Sequence, residues 1–229
     1  MNAAKISLTD LFHQFARVQQ ELLRLGRRGV DVSISARLEL LLQRYPCQQD
    51  RTLLGRALVD PYFPLGMVAA TYFADVDGMR FYINKDRADL EPHLLAELRQ
   101  HSEAFVQIRW DIQHRFNSDS ITCVPLDGRE HPLPAGQWCS LCGICCQIGG
   151  VPTEHPEGVN YPEHWQEYLR GEAVVNQQVC PFLFQYFGKP FYFCAIHNIK
   201  PLSCRQFDEQ ACHHRLAERR LHCCKSGQS

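Results

Sequence analysis

The chain has 229 residues and a mass of 26.4 kDa, room for one large domain or two small ones. Apolar residues make up 45% and charged residues 21%, and the formal net charge is −1 with a pI of about 6.8, so composition argues against a generic nucleic-acid partner. The longest apolar run, Met67 to Phe73, is far shorter than the roughly 18 residues of a membrane helix. Lys5, Asp10, Arg17, Glu21 and Arg24 break up the stretch where a secretory h-region would stand, so the expected compartment is the cytoplasm, with no membrane partner.

From the N-terminus, Ser7-x-x-Asp10 resembles a capping box ahead of Leu8, Leu11, Phe12, Phe15, Val18, Leu22 and Leu25, whose spacing of three to four residues predicts a helix that Gly26 and Gly29 stop. Leu38, Leu41 and Leu42 predict a second helix over 34–45, ended by Pro46, and 49–59 gives a short third before Pro61. In 67–84, Asp77-Gly78 lies between Val68, Thr71, Tyr72, Phe73 and Phe81, Tyr82, Ile83, which predicts a β-hairpin. Residues 89–116 carry Leu90, Leu94, Leu98, His101, Phe105, Ile108, Ile112 and Phe116 at helical spacing. Val106, Ile108, Trp110 and Ile112 also alternate as a strand would, but one long helix accounts for more of the residues. Pro125, Gly128, Pro132, Pro134 and Gly136 mark a linker. Beyond it, Tyr161 to Trp165 open a short helix. The last stretch, 213–229, sets Arg215, Arg219, Arg220 and Lys225 against Glu218, a pattern read as a solvated helix face. The expected fold is α+β and mainly helical. A helical region over 1–130 joins a small, loop-rich, metal-stabilised cysteine domain over 136–224, which has no evident apolar core of its own.

Twelve cysteines are spread unevenly: Cys47 and Cys123 stand alone in the first 138 residues, and these two are expected to be small apolar fillers. The other ten fall in the last 91 residues. In a reducing compartment such density points to metal or redox chemistry rather than disulfides. Cys139, Cys142, Cys145 and Cys146 read C-x2-C-x2-C-C, and two-residue spacing lets one tight turn aim two sulfurs at one ion, with Gly143 suited to such a knuckle. In an extended backbone the neighbours Cys145 and Cys146 would diverge, so they are not expected to share an ion. Cys180, Cys194, Cys204 and Cys212 follow, making eight thiols, enough for two tetrahedral sites or for one cluster with spare ligands.

These residues resemble the CxxCxxCC cysteine-cluster family of zinc- or iron-chelating proteins. The resemblance rests on Cys139 to Cys146, Cys180-Pro181-Phe182-Leu183, Cys194 to His197, Lys200-Pro201-Leu202-Ser203-Cys204-Arg205-Gln206-Phe207 and Cys212, and covers about residues 136–224. Lys200 stands where the family usually has arginine, and the pair Cys223-Cys224 is an addition to the usual pattern. The resemblance implies a metal centre held by the eight cysteines. A related cluster occurs in flagellin lysine N-methylases, where iron–sulfur chemistry is associated with methyl transfer, which extends the implication to a protein or peptide substrate. The radical-SAM spacing is absent, since Gly149 occupies the place of its third cysteine, and there is no G-x-G-x-x-G fingerprint.

Cys139, Cys142 and Cys145 repeat the start of a ferredoxin run, and Cys180 precedes proline as the last cysteine of that run does. An iron–sulfur cluster is the favoured cofactor and zinc the alternative, because soft thiolates suit both. His197, His213 and His214 are secondary candidate ligands. Arg205 is placed to bond a sulfur, an anionic partner or a carboxylate, while Cys223 and Cys224 read as thiols near a frayed end. Two functions compete: a metal-binding protein acting in protein or peptide modification, and a zinc-stabilised interaction adaptor with no catalytic activity.

Overall fold

A computed structural model describes residues 8–24, 53–57, 59–83, 87–126, 141–147, 150–174, 177–186 and 188–226. The fold is mainly helical. Helix α1 (Leu8–Arg24) matches the sequence period and buries Leu11, Phe12, Phe15 and Val18 along one stripe. A helical turn at 53–57 falls inside the third expected helix, whereas the second, over 34–45, and Cys47 lie outside the described residues.

Residues 65–83 overturn the expected hairpin: they form helix α2 (Leu65–Ile83), with Asp77-Gly78 inside it. The cause is tertiary. Leu65, Val68 and Tyr72 recur at helical spacing and are buried, and the Phe12 ring stacks on Tyr72 at 5.9 Å. Burial of that face outweighs the local turn preference of Asp-Gly. Helix α3 (Arg87–His114) is the single long helix expected, and Leu94, Leu98, Phe105, Ile108 and Ile112 form its buried stripe. A one-turn helix, α4 (Ser118–Ile121), is capped by the Asn117 side chain, which accepts from the Asp119 amide at 3.1 Å.

In the C-terminal half, α5 (Glu163–Arg170) is the short helix expected after Tyr161. It ends on Gly171, whose φ of 77° closes the last turn. Strands β1 (Leu183–Gln185) and β2 (Tyr192–Cys194) pair antiparallel with Leu183 opposite Cys194 and Phe184 opposite Phe193. Two further helices follow, α6 (Leu202–Arg205) and α7 (Glu209–Ser226).

The cysteine-rich half does have an apolar core, contrary to expectation, and it is continuous with that of the helical half. Phe184 packs on Phe105 at 4.9 Å, on Phe193 at 6.0 Å and on Tyr62 at 6.4 Å. Backbone bonds cross the same seam, from the Gln185 amide to the Tyr62 carbonyl (2.7 Å) and from Gly188 to Pro61 (2.8 Å). The aromatic residues that supply this core sit within the cysteine motifs themselves, as Phe182 does after Cys180 and Phe193 before Cys194.

A buried carboxylate adds a polar tie. Asp111 of α3 is fully buried and accepts from the Trp165 indole (2.9 Å), Arg115 (3.2 Å) and Gln107 (3.2 Å), with the His164 imidazole 2.6 Å away. Trp165 and His164 lie on α5, so this one side chain fixes α5 against α3. The Arg109 guanidinium, paired with Asp60 at 3.3 Å, stacks 4.6 Å over the Tyr62 ring beside it.

His101 of α3 makes stability depend on pH. It is 3% exposed, edges onto Phe63 at 5.9 Å, and its Nε2 has no hydrogen-bond partner. Burial lowers its pKa from the ordinary 6.5 to about 4. The unfolded chain therefore binds a proton at this side chain below pH 6.5 that the folded chain refuses until about pH 4. Its contribution is complete above pH 6.5 and is lost as the pH falls through that window, by about 3 kcal/mol in all. Urea titrations at pH 7 and pH 4.5 should show this loss in the natural protein and a smaller one in His101→Leu; equal losses would contradict it.

Candidate metal centre

The cysteine run folds as a knuckle. Leu141 takes φ 54° and Gly143 φ 73°, and a single 3-10 turn then carries Ile144, Cys145 and Cys146. The Cys146 amide donates to the Gly143 carbonyl at 2.9 Å, and the Leu141 carbonyl accepts from Tyr192 of β2 at 2.7 Å. Gly143 is required twice over: its φ disfavours other residues, and a Cβ here would stand 3.1 Å from both Met67 Cε and Tyr192 Cβ. Gly143→Ala is expected to cost about 1–2 kcal/mol in urea unfolding, and an unchanged midpoint would show the turn free of that constraint.

The other thiols reach the knuckle through short backbone links. The Cys180 amide donates to the Cys146 carbonyl (2.8 Å), and the β1–β2 register sets Cys194 opposite Leu183, three residues beyond Cys180. Cys204 lies on α6 after Pro201. Arg205 donates to the carbonyls of Asn198 (2.9 Å) and Lys200 (3.2 Å), so it clamps the preceding turn rather than meeting a sulfur or carboxylate as expected. Asp208 caps α7 through the Ala211 amide (2.8 Å), and its carbonyl accepts from the amide of Cys212 on the first turn of that helix (3.0 Å).

These links bring Cys142, Cys145, Cys146, Cys180, Cys194, Cys204 and Cys212 to the wall of one cavity of about 170 Å³. Seven of the eight expected ligands therefore share a site, and the eighth, Cys139, lies outside the described residues. Leu141, Val151, Phe182 and Ile196 complete an apolar lining, with His197 and Lys200 also on the wall. His213 and His214 are not on that wall: both are exposed, and His213 stands 3.6 Å from Glu209 one helical turn away. Cys223 and Cys224 fall in the last turns of α7.

Two expectations change. Cys123 is not an apolar filler: it is exposed and lines this same cavity. Cys145 and Cys146 do not diverge, because they lie on a helical turn rather than an extended strand, and their sulfurs are 4.0 Å apart. Two sulfurs each about 2.3 Å from one tetrahedral ion stand about 3.8 Å apart, so this pair has nearly the separation of two ligands of one ion.

The electrostatics of the thiols are interdependent. A hydrogen bond from Cys146 draws Cys145 down to about 7, with the Lys200 ammonium acting in the same direction. The same donor lowers Cys180, and Cys146 itself is pushed well above the ordinary range. Burial, reinforced by negative charge on Cys180, raises Cys194 well above the ordinary range and Cys204 to about 11. Each thiolate thus opposes ionisation of the next unless positive charge enters among them. As the side chains stand, no three Cys, His, Asp or Glu groups among the described residues are close enough to hold one ion. The donor set and the volume fit a soft metal ion or a cluster once the side chains close on it.

Comparison with protein-family models, with curated proteins and with solved structures gives no match to this chain. None of the described helices is long and apolar enough to cross a membrane.

Proposed function

We propose that the chain is a cytoplasmic metal-binding protein whose cysteine cavity holds a thiolate-ligated iron–sulfur or zinc centre. The observation that carries this reading is the convergence of seven thiols, from five separated stretches of sequence, on one cavity of about 170 Å³. Packing alone gives little reason to collect so many sulfurs, and a bound cation would let them ionise together. Cys142, Cys145, Cys146, Cys180, Cys194, Cys204 and Cys212, with Cys139, are the residues that would hold it.

Bound there, an iron–sulfur cluster would supply electron transfer or group-transfer chemistry, and zinc would supply a charge-compensated scaffold. The chain's own contribution is to exclude water with Phe182, Phe193 and Ile196 and to set Lys200 beside the thiolates. A protein or peptide is the substrate class this reading carries.

Purification without oxygen, followed by analysis of iron, zinc and acid-labile sulfide with the absorption spectrum, tests the proposal. Iron and sulfide in matching amounts, with a visible band that bleaches on reduction, support the cluster and a reaction dependent on it. Zinc alone and no colour support the metal site in its scaffold form and direct attention to binding partners. Protein that holds neither metal overturns the proposal.

A further inference from the structure

An eighth thiol on the cavity wall, Cys123, comes from the helical half and belongs to none of the cysteine motifs. Cys123 follows α4 directly, and both flanks of it are pinned. The Thr122 hydroxyl donates to the carbonyl of Cys194 at 3.5 Å and accepts from the Val124 amide at 3.3 Å. The Tyr62 hydroxyl donates to the Pro125 carbonyl at 3.2 Å, and the turn at His197–Ile199 packs against α4. Cys123 is therefore held at the cavity by the fold. It is also exposed, as is Cys145, whereas Cys146, Cys180, Cys194 and Cys204 are half-buried and Cys212 is buried. Within one cavity the cysteines grade from exposed to buried residues.

A soft metal ion in a thiol-rich compartment is carried on other thiolates and passes between them by ligand exchange, in which the incoming sulfur bonds before the old one departs. That requires an accessible thiol connected to the interior set. We infer that Cys123 is the receiving thiol of this site, taking a divalent soft ion from a complex with a small thiol and passing it inward. This rests on the reading of the cavity as a metal site.

The exchange balances without redox change. Cys123 releases its Sγ proton to buffer, a sulfur–metal bond forms, one bond from the metal to the donor thiol breaks, and the departing thiolate takes up a proton. An inner thiol repeats the step and displaces Cys123, whose sulfur is reprotonated. The metal keeps its oxidation state throughout. A buried ligand would hold the ion but could not collect it; of the two exposed cysteines among the described residues, Cys145 belongs to the C-x2-C-x2-C-C run that holds the ion, whereas Cys123 stands outside that set.

The test mixes the full-length, metal-free, reduced chain with cadmium bis-glutathione under argon and follows cadmium–thiolate absorption by stopped flow. Natural protein and Cys123→Ser are compared. Serine at an exposed position keeps the fold, which circular dichroism checks. The inference expects loading of Cys123→Ser to be slowed about tenfold or more, with the final cadmium-to-protein ratio unchanged. Equal rates overturn it. A lower final ratio overturns it too, by making Cys123 a permanent ligand. Failure of the natural protein to take up any cadmium overturns the metal reading itself. That result is distinct from full uptake at equal rates, which defeats the inference about Cys123 alone.

Discussion

Cys180→Ser and Cys204→Ser are each expected to lose bound metal, to below about a tenth of the natural content, while remaining folded with a lowered melting temperature. Cys180 is tied closely into the thiol set. It accepts a hydrogen bond from the Cys146 thiol, its amide is tied to the Cys146 carbonyl at 2.8 Å, and its charge raises the pKa of both Cys194 and Cys204. Serine keeps the shape but supplies a hard hydroxyl that stays protonated at neutral pH, so a soft centre loses one ligand outright. A structural metal in a small domain can contribute about 10 kcal/mol to folding, enough to unfold many such domains when it is lost. Here Phe182, Phe184, Phe193 and Trp165 form an aromatic core beneath the cavity, and that core should keep the apo form compact. Metal analysis and thermal melts on both variants decide the matter. Full metal retention in both would contradict the assignment of these thiols as ligands.

The second large effect concerns the seam between the two halves. Phe184→Ala should destabilise the whole molecule by about 3–5 kcal/mol, a large share of the roughly 5–15 kcal/mol that holds a typical domain folded. Phe184 is fully buried, and its ring meets Phe105 of the long helix and Phe193 of the paired strand while facing Tyr62. Truncation leaves a cavity bounded by three rings that are themselves held in place, so little collapse can offset it. Phe191→Ala provides the control, since that ring is 40% exposed and its loss should stay within about 0.5 kcal/mol. Urea unfolding followed by far-ultraviolet circular dichroism should give one cooperative transition, shifted strongly in Phe184→Ala. A loss below about 1 kcal/mol, or two separate transitions in the natural protein, would show that the halves do not share a core.

What could be read from the sequence was what repeats at short range. Helices α1 and α3 follow from apolar residues three and four apart, and the short helix after Tyr161 from its local pattern. The thiol set was visible because two-residue spacing is itself a geometric statement about one turn. Sequence and structure part where distant packing or a local turn decides the backbone. Asp77-Gly78 carries hairpin chemistry, but the buried stripe of Leu65, Val68 and Tyr72 holds the segment helical. An extended backbone would separate Cys145 and Cys146, whereas a 3-10 turn brings their sulfurs to 4.0 Å. Cys123 has no motif around it, and its place on the cavity wall is set by the partner carbonyl of Cys194, 72 residues along the chain in the bond from Thr122. The Asp111–His164 contact spans 53 residues, and neither residue carries a local signal of it. Long-range polar ties of this kind have no periodicity to betray them.

The most direct test of the thiolate centre is X-ray absorption at the edge of whichever metal the anaerobically purified chain holds. The expected result is a first shell made of sulfur alone, at about 2.3 Å, since seven of the expected ligands line the cavity and every one ends in a thiol. A first shell dominated by nitrogen or oxygen, or a chain that retains no metal to measure, would contradict it.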